Sequence, residues 1–203
     1  MAGITAAGEE KAWEILARLG TSDVCKAASV TFDDRTAAYA IRSYGMDFMV
    51  FLHERTIASG FPESAVLLGK LGEFFRLSLL WYLVSAKYIP CTGRLTRIEQ
   101  IKGGEAFSRG SHVLPLGKLA GKYGNDREGF LRKGKALGGV VRQYGDASIE
   151  LPAFPRVPVV ITLWLADDEF PARADLLLDS SCDLQLPPDI TWSIAMMSVL
   201  VML

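Results

Sequence analysis

The sequence predicts an α+β fold, a small and mostly antiparallel sheet packed against a long central helix and several short helices. Three observations carry that expectation. Short runs rich in β-branched and aromatic residues occupy two separate blocks, near residues 28–52 and 157–178. A long apolar stripe at helical spacing lies between them. Half of the 203 residues are apolar and only 22% are charged, which suits a chain with a substantial core and excludes a disordered tail.

The first element reads as a helix. Ala12, Trp13, Ile15, Leu16 and Leu19 recur on one side of the stretch that begins at Glu9. A charged, amphipathic start of this kind is not a signal peptide. Three strands are expected next, at Ala28–Phe32, Ala38–Ser43 and Asp47–Leu52. Asp33-Asp34-Arg35 and Tyr44-Gly45 supply the turns of a small meander.

Phe61-Pro62-Glu63-Ser64 then opens the long helix, expected over Ala65–Ile89 and closed by Pro90 and Gly93. Lys70, Glu73, Arg76 and Lys87 interrupt its apolar run, so it reads as a core helix and not a membrane span. The glycine-rich middle, Arg94–Arg142, predicts short helices at Thr96–Gln100, Pro115–Lys122 and Asp126–Lys135. Val157–Leu165 is almost continuously apolar, as a strand covered on both faces requires, and Arg173–Leu178 reads as its neighbour. Val159, Ile161, Leu163 and Leu165 are expected to pack against the Ala65–Ile89 helix. Ile190–Leu203 carries no charge, but its length of about 21 Å as a helix falls short of a hydrocarbon layer of roughly 30 Å. A terminal element docked on the core is expected, and no membrane partner. With no linker or repeat, the chain reads as a single domain over 1–203.

Composition limits the partners. Twenty-two basic and 23 acidic side chains leave a formal charge of −1, so the basic excess that grips nucleic acid is missing. Cys25, Cys91 and Cys182 are far apart and form no CxxC pair, which suits reduced thiols in the cytoplasm. His53 and His112 stand in no nucleophile or metal signature. No motif specifies a cofactor.

The densest functional candidate is Trp164-Leu165-Ala166-Asp167-Asp168-Glu169-Phe170-Pro171-Ala172. Three consecutive carboxylates after a buried strand are suited to a hard cation or to a general base. Adjacent residues on an extended chain point to opposite faces, and an acidic hairpin turn whose Asp residues cap backbone N–H groups accounts for the same pattern. Trp164, Trp81-Tyr82 and Phe74-Phe75 are candidates to line a pocket for a flat ligand. Gly134-Lys135-Ala136-Leu137-Gly138-Gly139 is no phosphate loop, although Arg127, Arg132, Lys133, Lys135 and Arg142 surround it as a candidate anion site. Ser180-Ser181-Cys182 reads as a helix start.

The C-terminal half resembles the family known as domain of unknown function 3786, over about Tyr82–Pro188. The residues that carry the resemblance are Thr92-Gly93, Gly103-Gly104, Gly138-Gly139, Tyr144-Gly145-Asp146 and Phe154-Pro155-Arg156-Val157-Pro158. Leu163 to Ala172, Leu178-Asp179-Ser180-Ser181 and Leu186-Pro187 complete it. The resemblance implies a setting in the metabolism of anaerobic bacteria and archaea, with some relatives joined to iron–sulfur modules. Three isolated cysteines cannot hold such a cluster here. The expectation is an accessory, non-catalytic domain that binds a small molecule or cofactor. A metal-dependent enzyme built on Asp167–Glu169 and a protein-interaction module are the alternatives. The candidate ligand-binding residues are Asp146, Arg156, Trp164, Asp167, Asp168 and Glu169.

Overall fold

The computed structural model describes residues 2–104 and 112–203. Its helices and two antiparallel sheets make an α+β fold. Helix α1 (Ala2–Leu16) buries Ala12, Trp13 and Leu16, as its stripe requires. A second helix, α2 (Thr21–Ala28), ends at Ser29 in the left-handed region with φ 55°. Strand β1 (Thr31–Asp33) therefore starts three residues later than the Ala28–Phe32 expectation, because Ala28 closes a helix.

Strands β2 (Ala38–Ser43), β3 (Met46–Phe51) and β4 (Thr56–Ala58) continue the meander in the order β1-β2-β3-β4. Tyr44 (φ 46°) and Gly45 (φ 77°) turn β2 into β3 through a two-residue loop with both φ angles positive, the turn that matches strand twist. Tyr39, Ile41, Phe48 and Val50 face the core, while Arg42 and Asp47 pair across the outer face at 3.0 Å.

The long helix is shorter than its apolar stripe. Pro62–Ser64 forms a 3-10 turn and Val66–Lys70 one turn of π-helix, before α3 runs over Gly72–Ser85. Gly69 and Gly72 lose more backbone entropy in a helix than other residues do, which weakens the regular ladder there. Helix α3 is nonetheless central. Phe48 from the first sheet meets Phe75 at 4.6 Å, and Tyr82 stacks on Phe154 at 4.9 Å.

The second sheet contains β5 (Leu95–Arg97), β6 (Val140–Arg142), β7 (Ala147–Phe154), β8 (Val157–Trp164) and β9 (Arg173–Asp179), ordered β5-β9-β8-β7-β6. The helix expected at Thr96–Gln100 is corrected: its first half is strand β5, and only Ile98–Gln100 is helical, as a 3-10 turn. Helices α4 (Leu116–Tyr123) and α5 (Arg127–Ala136) follow the expected positions, and Asp126 caps α5 by accepting the Gly129 N–H at 2.8 Å. After a short α6 (Cys182–Gln185), α7 (Pro188–Met202) is a helix docked on the core, burying Ile190, Ile194, Met197 and Met202. Among the described residues no helix is long and apolar enough to cross a membrane.

Val159, Ile161 and Leu163 are fully buried on β8, as expected, whereas Leu165 lies just beyond the strand. The helix they face is corrected. The sheet is covered by α4, α5 and α7, and α3 packs chiefly on α1 and α7. The opposite sheet face carries Arg142, Glu150, Thr162, Asp175 and Arg97; Thr162 stands directly opposite Asp175, and each arginine is diagonal to its carboxylate. Arg142 binds Glu150 through two hydrogen bonds of 2.8 and 2.9 Å, and Arg97 reaches Asp175 at 3.1 Å.

Candidate functional site

Strand β8 ends at Trp164, and the antiparallel register sets Arg173, the first residue of β9, directly opposite. Side chains facing each other in adjacent strands are close enough to touch. The Arg173 guanidinium lies 3.9 Å above the Trp164 ring. The connection between them closes a recess of about 700 Å³ walled by Trp164, Asp146, Asp167, Phe170 and Arg173. Phe170 is 67% exposed at its mouth, an uncommon position for a large apolar ring.

Two carboxylates shape this recess. Asp167 Oδ1 accepts the N–H groups of Glu169 at 2.9 Å and Phe170 at 2.7 Å, and the Asp167 N–H donates to the Phe170 carbonyl at 3.0 Å. That is Asx-turn chemistry, and it explains why an Asp stands first in the acidic run. The Ala166 N–H donates to the Gly124 carbonyl, fastening the turn to the end of α4. Asp146 precedes β7 and binds the end of β8: its N–H donates to the Leu163 carbonyl, and its Oδ2 accepts the Leu165 N–H at 2.8 Å. Arg127 Nε donates to the Asp146 carbonyl at 2.9 Å. Among the described residues, Asp146 Oδ1 and Asp167 Oδ2 accept no hydrogen bond.

The structure thus brings together Trp164, Asp146 and Asp167 of the expected site residues. Asp168 and Glu169 sit on the exposed side of the turn, outside the recess. Of the Asp residues expected to cap backbone N–H groups in an acidic turn, Asp167 does the capping, while Arg173 stacks on Trp164. Among the described residues no three His, Cys, Asp or Glu side chains form a group suited to a metal ion.

Arg156 belongs to another part of the molecule. It lies in the turn between β7 and β8, at the far end of β8 from Trp164. There its guanidinium donates to the carbonyls of Ala27 at 2.5 Å, Lys26 at 3.1 Å and Ile89 at 3.4 Å, and it lies over the Tyr88 ring. Its N–H also donates to the Tyr82 hydroxyl, which in turn donates to the Ala28 carbonyl. These bonds satisfy the C-terminal carbonyls of α2, so Arg156 is a clamp on the fold. Phe170 and Arg173 were not among the expected site residues. The signal for Arg173 was available in the β8–β9 pairing, which sets it opposite Trp164.

Other candidates for chemistry resolve into structure. Ser181 does not cap α6; its hydroxyl donates to Asp179 at 2.6 Å. Burial pushes the Cys182 thiol up to about 12, and the Asp183 charge adds to this; Cys25 and Cys91 are raised by burial and by Asp34 and Asp179 respectively. Thiols raised in this way are poor nucleophiles near neutral pH. His53 is exposed, and His112 packs edge-on against Trp192.

An antiparallel five-stranded sheet with helices on one face, and an aromatic, acidic recess at one end, mark this chain as an α+β domain. The model of the family described as Domain of unknown function (DUF3786) matches residues 21–201, and the chain belongs to that family. The match extends well beyond Tyr82–Pro188 and takes in the first sheet. No curated protein and no solved structure matches the chain.

Proposed function

We propose that this protein is a non-catalytic domain that binds a planar small molecule rich in N–H donors, in the recess between Trp164 and Phe170. The supporting observation is the pairing of aromatic walls with unengaged carboxylate oxygens. Asp146 and Asp167 both line the recess, and among the described residues each has one oxygen that accepts no hydrogen bond while its other oxygen is fixed by backbone N–H groups. Oxygens held in this way are positioned before the ligand arrives, which lowers the ordering cost of binding. Each ligand N–H that reaches one contributes about 1.5–3 kcal/mol.

Charge selects the ligand. Asp146, Asp167, Asp168 and Glu169 stand against Arg173 and Arg127, so the neighbourhood favours a cation or a neutral donor over an anion. The Arg173 guanidinium on Trp164 is an internal example of a planar cation accepted by this ring. A binding role is favoured over catalysis because both recess carboxylates are committed to turn and strand backbone. Every wall residue except Arg173 falls within segments that carry the family resemblance. An accessory role in the cytoplasm, in the anaerobic metabolism that the family suggests, is part of this reading.

The test uses benzamidine, a planar amidinium, as probe. Its addition should shift the indole N–H resonance of Trp164, and Phe170→Ser should abolish the shift without altering the melting temperature. Resonance changes confined to residues outside the recess would overturn the reading. Native mass spectrometry of freshly purified protein then gives the mass of the natural ligand.

A further inference from the structure

A second recess, sharing no lining residue with the first, lies where the β2–β3 turn meets α5. Its volume is about 470 Å³ and its walls are mostly apolar, with Met46, Phe61, Val66 and Leu137 prominent. Phe61 and Val66 are 40% and 48% exposed, so two large apolar side chains stand open at its mouth. Val66 begins the single turn of π-helix, a departure from regular helix that often accompanies a site. One cation enters this apolar setting. Lys133, on α5, lines the recess and is half-buried. Among the described residues it pairs with no carboxylate. Glu63 also lines the recess, but no ion pair joins the two.

The Gly138-Gly139 segment does not compete for an anion. The Gly138 N–H donates to the Lys135 carbonyl and the Gly139 N–H to the Gly134 carbonyl, so both amides are spent in closing α5. Of the basic residues clustered on this helix, Arg132 and Lys135 are exposed to water, and Lys133 alone lines the apolar recess. A charged amine held against apolar walls without a counter-ion is poorly solvated, and burial together with the nearby Lys122 charge lowers its pKa. A carboxylate delivered there on an apolar body restores the lost solvation and covers the exposed Phe61 and Val66.

We infer that this recess binds an amphiphilic acid, an apolar chain or ring bearing one carboxylate that pairs with Lys133. The apolar body occupies the space between Met46, Phe61, Val66 and Leu137, and the carboxylate turns toward α5. Glu63, which also lines the recess, repels the same carboxylate and limits affinity. This site is separate from the Trp164 recess, and neither reading depends on the other.

Isothermal titration calorimetry with decanoate and decanol separates the charged contribution from the apolar one. Decanoate should bind the wild type more tightly than decanol does. Lys133→Met should weaken decanoate by about tenfold, equivalent to roughly 1.4 kcal/mol, and leave decanol unchanged. Glu63→Gln should tighten decanoate, a gain of function that a misfolded variant cannot mimic. Equal affinities of decanoate for wild type and Lys133→Met would overturn the inference, as would the absence of decanoate binding to the wild type.

Discussion

A methyl group on Gly138 would lie 2.7 Å from the Cα of Gly45, so the two backbones touch where the meander meets the five-stranded sheet. Gly45 is in the β2–β3 turn and Gly138 follows α5; both have positive φ, at 77° and 72°. The junction is reinforced nearby, where the Tyr44 N–H donates to the Pro152 carbonyl at 2.8 Å and the Ser43 hydroxyl to the Ala153 carbonyl at 2.6 Å. Close backbone approach and left-handed φ are two separate reasons for glycine at 138.

Gly138→Ala should therefore destabilise the fold by more than the roughly 1–2 kcal/mol of a left-handed alanine, because the contact adds to it. Gly121 offers the contrast: it is exposed within α4, and nothing lies within 4 Å of an added Cβ. Gly121→Ala should stabilise by about 0.5–1 kcal/mol through helix propensity. Urea titration of both variants checks the pair. A Gly138→Ala change as mild as Gly121→Ala would remove the junction from the account.

Asp179 predicts a pH dependence. It is buried, and accepts hydrogen bonds from the Thr92 N–H and hydroxyl, the Gly93 N–H, and the Ser181 N–H and hydroxyl. Burial alone would push its pKa up. The bonds from Ser181, Thr92 and Gly93 together outweigh that and hold the carboxyl below the ordinary aspartate range. A group with a depressed folded pKa stabilises the fold above its unfolded pKa, and that contribution is lost as pH falls through the folded value. The melting temperature should accordingly fall as pH drops below about 4. Asp179→Asn should be less stable at neutral pH and should show a shallower loss on acidification. An identical acid-side slope in the variant would assign the pH dependence to other carboxylates.

Particular residues show what could be read from sequence. Strands β2 and β8 were legible because their burial patterns are written in side chains: alternation around Tyr39 and Ile41, a continuous apolar run from Val157. Strand β7 was not, although Ile149, Leu151 and Ala153 lie on one face and Ser148, Glu150 and Pro152 on the other, with Glu150 and Pro152 only partly buried. Pro152 argues against a central strand by removing a ladder donor, and the pairing does shift register between Pro152 and Phe154. The long helix was overread because an apolar stripe reports burial and says little about whether Gly69 and Gly72 keep a regular ladder. At the site, the acidic run was visible. The division of labour within it was not, since an Asx turn depends on backbone geometry that the composition Asp-Asp-Glu does not encode.

That division of labour gives the last prediction. Asp167 holds two backbone N–H groups, whereas the Asp168 and Glu169 carboxylates are exposed and accept no hydrogen bond among the described residues. Loss of a side chain that satisfies turn or helix-start N–H groups typically costs about 0.5–2 kcal/mol. Asp167→Ala should fall in that range and should also disorder the wall formed by Phe170, so benzamidine binding should weaken with it. Asp168→Asn combined with Glu169→Gln should change stability by no more than about 0.5 kcal/mol, as exposed substitutions do, and any change should favour the variant by relieving repulsion with Asp167. Calcium supplies a third arm. A cation that bound only the folded state would stabilise by RT ln(1 + [L]/Kd), about 2.7 kcal/mol at a hundredfold excess over Kd. Little or no rise in melting temperature is expected in the wild type, because one Asp167 oxygen is already shared by two N–H groups and its neighbours diverge from it. A rise of several degrees, lost in the Asp168→Asn, Glu169→Gln variant, would show that these carboxylates converge on a cation and would replace the turn-capping account with a metal site.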